Sequence, residues 1–333
     1  MPIINIGYVL PHLMLAAALP CRLAAQAPTA TPPKPDSPQV LAHIEMAKTA
    51  GGTMWAQAAN FFCVASRANS PNDPVIEPAK IFDNVYAIGR EGTVVYAITT
   101  SAGILLIDSG YQNEVETILL AGLRRLGLDP AQVKMIVMGH GHADHFGGAP
   151  YFQEHYGTKV YVSQADWEFM ENPPAARGGA KKAPPGPPVT LPNHDMVITE
   201  GQPIVLGDVR IMPFAIPGHT PGSMGLIFPV KDNGQTHLAA MYGGTILGVG
   251  AISDEGLQQY LRSIAHFKEE TAKARVDVEL QNHPLYDGLT DKLAKLKRRR
   301  AEEPNPFVVG QDGYQKFMDV MSHCMQAQIE RRK

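Results

Sequence analysis

The stretch MGHGHADHFGG, residues 138–148, places His140, His142, Asp144 and His145 within six consecutive positions. Three imidazoles and a carboxylate at that density make a metal-ligand set. It suits zinc or another first-row divalent ion, and the absence of cysteine argues against a structural thiolate site. His140 and His142 are two residues apart, so on extended backbone they point the same way. Asp144 and His145 turn in another direction. The cluster therefore reads as two adjoining half-sites, one per metal. Each metal needs at least one more protein ligand, and a catalytic metal keeps a position for water. His219, in IPGHTPGS, and His283, in LQNHP, each close a strand-like segment beside Gly or Pro. The remaining histidines (His12, His43, His155, His194, His237, His266 and His323) lack that setting. A lone histidine is more often structural than ligating, but the cluster makes His219 and His283 the candidates.

The elements that must position these residues are legible in outline. Helix-like spacing covers 38–67, with a break at Gly51-Gly52. Strand-like segments follow at 84–89, 93–100 and 102–110. An amphipathic helix is predicted over 113–126, with Val115, Ile118, Leu119 and Leu123 on one stripe and Gly127 as its stop. The apolar segment 133–140 runs straight into the cluster, where strand-end side chains project into loops around a cleft. Another strand is predicted at 159–164. The second half repeats the logic, with strands at 203–206, 209–216, 224–230 and 236–242, a helix at 255–274, a strand at 276–282, and helices at 288–302 and 311–331. Strands followed by helices, twice over, imply two sheets packed face to face with helices outside, an α/β class of four layers. The Pro/Gly-dense stretch 172–195 breaks regular structure; it reads equally as a functional loop or an insertion.

The chain has 333 residues, 44% hydrophobic and 18% charged, with a net charge of -3. That is a globular composition with room for a large core. The one basic run, Lys297 to Arg300, closes a predicted helix and reads as a solvated face, so no nucleic-acid footprint is present. The apolar run Leu10 to Leu19 and the small residues up to Ala27 resemble a secretory signal peptide over 1–27, although no Lys or Arg precedes the run. A Pro-rich linker, 28–37, follows, and 38–333 reads as one domain. The run is too short for a convincing membrane span, so a periplasmic or secreted protein with no membrane association after processing is expected. Cys21 sits in a poor lipidation context. Cleavage would leave Cys63 and Cys324, either as a disulfide joining the chain ends or as two buried thiols.

HGHADH, a downstream GHTPGS, a late NHP and the preceding LLIDSG, in that order over roughly residues 80–300, resemble the metallo-β-lactamase superfamily. The resemblance implies an αββα sandwich of two mixed β-sheets with outer helices, forming a single domain with metals at the sheet edge. Many superfamily hydrolases, such as glyoxalase II and the acyl-homoserine lactonases, carry an Asp bridging both metals in a GD-type strand end. The corresponding stretch here is MYGGTIL, 241–247, with Gly243 and Gly244 and no carboxylate. With His140 opening the motif and no cysteine ligand, the pattern resembles the subclass B3 β-lactamases.

That resemblance implies two Zn2+, one on His140, His142 and His219, the other on Asp144, His145 and His283. It also implies hydrolysis of the β-lactam amide bond by a metal-bridging hydroxide, with antibiotic resistance as the outcome. Asp144 would both bind metal and orient the hydroxide or shuttle its proton. Asp108 in LIDSG would support a ligand, or else cap a turn with Ser109 and Gly110. Thr245 and Ser223 are the hydroxyl residues expected near a substrate carboxylate, while Leu247 stands where another hydroxyl is often found. Arg177, Lys181 and Lys182 could approach that carboxylate or merely solvate the Pro-rich loop. The alternative is a dizinc hydrolase of another lactone, ester or amide with incidental lactam cleavage. A non-catalytic binding protein is disfavoured because all six ligand positions are filled. The partner expected is a small-molecule substrate; the oligomeric state is not legible.

Overall fold

Strand β4 (Gly103–Ile107) shows how the layers arise. Leu105 and Ile107 point into one apolar core while Ile104 and Leu106 point into another, the period-two alternation of a strand buried on both faces. The computed structural model of the protein describes residues 1–2, 35–172, 188–245 and 252–333. The predicted signal peptide and most of the linker lie outside the described residues, as do Cys21, Arg177, Lys181, Lys182 and Leu247.

The first sheet runs β1 (Ala79–Phe82), β2 (Val85–Arg90), β3 (Thr93–Thr100), β4, β5 (Val133–Val137), β6 (Lys159–Ser163) and β7 (Met196–Ile198). It is antiparallel from β1 to β4 and parallel from β4 to β7. The second comprises β8 (Ile204–Leu206), β9 (Val209–Ala215), β10 (Met224–Asp232), β11 (Gln235–Tyr242) and β12 (Val278–Glu279), with only the β11–β12 pair parallel. Between the sheets lies a core that includes Tyr96, Leu105, Val137, Leu226, Phe228 and Met241.

The helices numbered in chain order are α1 (Pro38–Gly51), α2 (Ala56–Cys63), α3 (Ala121–Arg125), α4 (Ala143–Phe146), α5 (Ala149–Tyr156), α6 (Gln164–Glu171), α7 (Asp254–Ala274), α8 (Leu289–Arg298) and α9 (Gly310–Glu330). Outside the first sheet, Leu119, Leu123, Phe152 and Trp167 cover Ile104 and Leu106. Outside the second, α1, α2, α7 and α9 cover Ile227, Ala240 and Tyr242. The αββα order is therefore present, and residues 36–333 form one unit.

Several boundaries differ from expectation. The predicted helix at 38–67 is two, α1 and α2, separated around Gly52, which sits at φ +53° in the left-handed region. The helix at 113–126 winds as a short 3₁₀ turn, a π-turn over Val115–Leu120 and then α3. The wider turn buries Leu119 and Leu120 together, where a regular stripe would have buried Ile118. The strand at 276–282 pairs only over Val278–Glu279, because the chain then leaves the sheet for the site. Helices α4 to α6 and the short strands β1 and β7 had no periodic signal long enough to read. No helix among the described residues is long and apolar enough to cross a membrane.

Cys63, the last residue of α2, and Cys324, inside α9, form a disulfide, which resolves the open alternative. Around it, Arg331 pairs with Asp36 through two hydrogen bonds and also binds the Cys63 carbonyl. Reducing the bond should cost about 2–4 kcal/mol, the usual scale for a native cross-link. Thermal unfolding with and without a reductant reads this directly; an unchanged midpoint would show that the helices hold without it.

Candidate metal centre

Parallel strands β4 and β5 end side by side, Asp108 N–H donating to the Val137 carbonyl. Just beyond those ends lie Asp108 and His140, the place where parallel sheets present functional side chains. The two sheets meet here as well. Met224 N–H, at the start of β10, donates to the Gly139 carbonyl at 2.8 Å, and Val94 N–H on β3 donates to the Asn282 carbonyl at 2.9 Å. His219 enters on the loop between β9 and β10, and His283 four residues past β12.

All six predicted ligand residues converge. Three ring nitrogens form one group: His219 Nε2 lies 3.2 Å from His140 Nε2 and 3.0 Å from His142 Nδ1. Its ligand atoms are close enough to hold one ion, as are those of His140, His145 and His283. His140 is thus shared geometrically between the groups, its ring centroid 4.0 Å from that of His145.

The second group has a fixed proton arrangement. His283 Nδ1 lies 2.7 Å from the Gly92 carbonyl, which can only accept, so the proton is on Nδ1 and Nε2 offers a lone pair. His145 Nδ1 faces Asp108 Oδ2 at 2.7 Å and is fixed the same way. The two Nε2 atoms are 2.9 Å apart, and Asp144 Oδ2 is 3.2 Å from the first and 3.7 Å from the second. Three acceptors facing one point require a cation there, a proton or a metal. In the metal-free protein a proton fits. Burial opposes charge on His145, but Asp144 and Asp108 outweigh it and lift its pKa to about 10. Burial, helped by charge on His145, pushes His283 down to about 4. Burial also holds His140 and His219 well below the ordinary histidine range, as lone-pair donors. Burial works against the ionised Asp144, yet His145 and His283 keep its carboxyl well below the usual carboxylate range.

The supports divide into those read from the sequence and those missed. Asp108 is fully buried at φ +61°, accepting from Gly139 N–H at 2.8 Å, Asn282 Nδ2 at 2.9 Å and His145. Its contact with His145 reaches beyond what capping a turn requires. Asn69 was not foreseen; its Nδ2 donates to Asp144 Oδ2 at 2.7 Å and lies within reach of the Tyr111 and Thr93 hydroxyls. Asp166 on α6 was also missed, and neither has a motif to mark it. Asp166 is completely buried; it accepts from Gly141 N–H, Gly222 N–H and the Thr220 hydroxyl, and burial raises its pKa.

The two expected hydroxyl residues are both enclosed. Ser223 is fully buried, with its hydroxyl shared with Thr220 at 2.7 Å in the turn after His219. Thr245 is also fully buried, beside Tyr286.

Residues 88–232 match the model of the metallo-beta-lactamase superfamily. Over 146 residues the chain is 30% identical to the probable metallo-hydrolase YflN of Bacillus subtilis, covering 40% of this chain and 53% of that protein. It is 30% identical over 112 residues to an N-acyl homoserine lactonase of a Bacillus species, covering 34% of this chain and 39% of the lactonase. The chain thus spans about half the length, or less, of these curated relatives. Among solved structures, BJP-1, a subclass B3 metallo-beta-lactamase of Bradyrhizobium japonicum, superimposes with a TM-score of 0.60 at 25% identity, over 73% of this chain and 90% of that one.

Proposed function

From the match of residues 88–232 to the metallo-beta-lactamase superfamily model, we propose that the protein hydrolyses the β-lactam amide bond with two zinc ions, in the manner of subclass B3, as a periplasmic or secreted enzyme. The observation that carries the choice is the turn after β11. At the strand end where a bridging carboxylate stands in many superfamily hydrolases, this chain has Gly243 and Gly244. A Cβ on Gly243 would lie 2.4 Å from the Met224 carbonyl oxygen and 2.6 Å from that of Gly139. A Cβ on Gly244, at φ +92°, would lie 2.8 Å from His219 Cβ. A carboxylate side chain has no room there. The Cys63–Cys324 disulfide supports an oxidising compartment.

Zinc held by the two groups would make water a nucleophile at neutral pH and polarise the scissile carbonyl. The chain's own residues set the stage. Asn69 and His145 hold one oxygen of Asp144, leaving the other to orient water and accept its proton. Gly92 and Asp108 keep a proton on each Nδ1, so that Nε2 of His283 and of His145 is the atom that faces inward, where a metal would displace the shared proton.

The second reading, a hydrolase of another lactone, ester or amide, is favoured by the burial of Thr245 and Ser223, which removes both hydroxyls expected at a lactam carboxylate. Purified protein assayed on a chromogenic cephalosporin, a carbapenem and an acyl-homoserine lactone separates the two. Lactam turnover should vanish on chelation and return with zinc. Lactone turnover with no lactam turnover would replace the first reading by the second.

A further inference from the structure

The hydrogen bonds that the Asp166 carboxylate accepts come not from the six candidate ligands but from residues beside three of them. Its Oδ2 accepts from Gly141 N–H at 2.7 Å, and Gly141 stands between His140 and His142. The same oxygen accepts from the Thr220 hydroxyl at 2.8 Å, and Thr220 directly follows His219. Its Oδ1 accepts from Gly222 N–H at 2.8 Å in the same loop. One carboxylate therefore joins the segment after β5 to the segment after β9, which arrive from different sheets. The joint is close-packed. A Cβ on Gly222 would stand 2.1 Å from Ser163 Oγ, and one on Gly141 would stand 3.1 Å from Asp166 Cβ. Ser163 completes it, its hydroxyl donating to the Gly222 carbonyl at 2.7 Å while accepting from Asp166 N–H. Phe169, one turn further along α6, sets its ring 5.5 Å from that of His142.

We propose that Asp166 is a positioning residue that fixes the distance between His219 and the His140–His142 pair, and so sets the metal affinity of the three-histidine group separately from that of Asp144, His145 and His283. The inference rests on the metal reading above and deepens it. The second group is held by other means, Asp108, Gly92 and Asn69, none of which contacts Asp166. A metal site tolerates displacements of only about 0.5 Å. Asparagine has the right shape and the wrong chemistry. Both oxygens of Asp166 accept from backbone N–H groups, so an amide NH2 in either orientation confronts one of those donors.

The test is zinc binding by the full chain, stripped of metal and titrated against a competing chelator, for the wild type, Asp166→Asn and Thr220→Val. The wild type should take up two zinc ions. Asp166→Asn should keep one site unchanged and weaken the other about 10–100-fold, the range found when an outer partner of a ligand is lost. Cobalt substitution should show altered absorption for that site alone. Thr220→Val removes one of three donors and should weaken the same site by a smaller factor, which keeps the idea testable if Asp166→Asn does not fold. Unchanged affinities in both variants, or equal weakening of both sites together with a lowered melting temperature, would overturn the proposal. A wild type that binds two zinc ions but cleaves no lactam would instead remove the functional reading and leave this test standing.

Discussion

His219→Ala is expected to lower kcat/KM by at least about a hundredfold, ~2.7 kcal/mol of transition-state stabilisation. His219 is the residue through which two distant parts of the chain complete one metal group, facing His140 at 3.2 Å and His142 at 3.0 Å. Without it two imidazoles remain, and the loss of affinity should exceed the 10–100-fold seen for outer partners. The fold should survive. The loop is tied by Thr220, Gly222 and Ser223, and none of those bonds uses the imidazole. Zinc content after dialysis, initial rates and a thermal melt measure the three parts separately. Full zinc content with full activity would show that His219 is not a ligand.

Asp108→Ala should be the most damaging single change for stability and site together. The carboxylate is completely buried and serves three donors: Gly139 N–H, the Asn282 amide and His145 Nδ1. Each donor left unpaired in the interior costs about 1–3 kcal/mol, so a loss of roughly 3–5 kcal/mol is expected after partial relaxation. His145 also loses the partner that keeps its proton on Nδ1, so Nε2 is no longer reserved for metal. Asp108→Asn should not rescue, because its NH2 either confronts a donor or shifts the His145 proton to Nε2. Zinc stoichiometry and denaturant midpoints of both variants check this. An Asn variant with wild-type zinc affinity would show that the tautomer is held by something else.

Both predictions start from side chains that the sequence marks plainly. His140 to His145 are adjacent along the chain, and His219 and His283 carry local signatures, a strand end beside Gly or Pro. Gly243 and Gly244 were visible as a missing carboxylate, and the structure adds the steric reason. Asn69 and Asp166 could not be read in this way. They act on residues 75 and 25 positions away, respectively, along the chain, across contacts that exist only once the sheets have packed. The elements follow the same division. Strands of five or more residues and the long helices α7 and α9 have enough repeats to show a period. Strand β7, with three residues, does not, and at 276–282 the strand was legible but not that only Val278–Glu279 pair. The burial of Ser223 was not legible, because a serine or threonine next to His219 in sequence can turn to either side of a loop. Here the cost of leaving buried N–H groups unpaired turned Ser223 inward.

The covering of the second sheet by α1, α2 and α9 also governs the order in which the chain can fold. Ile44, Phe61 and Phe62, near the beginning, lie in one core with Phe317, Met321 and Met325, near the end. During synthesis the faces of α1 and α2 that meet α9 stay uncovered until α9 has emerged. Such late, distant pairing is slow, because a long loop must close before any contact rewards it. Removing α9 should therefore be poorly tolerated although none of its residues is a candidate ligand, because it leaves the apolar faces of α1 and α2 sticky and unfinished.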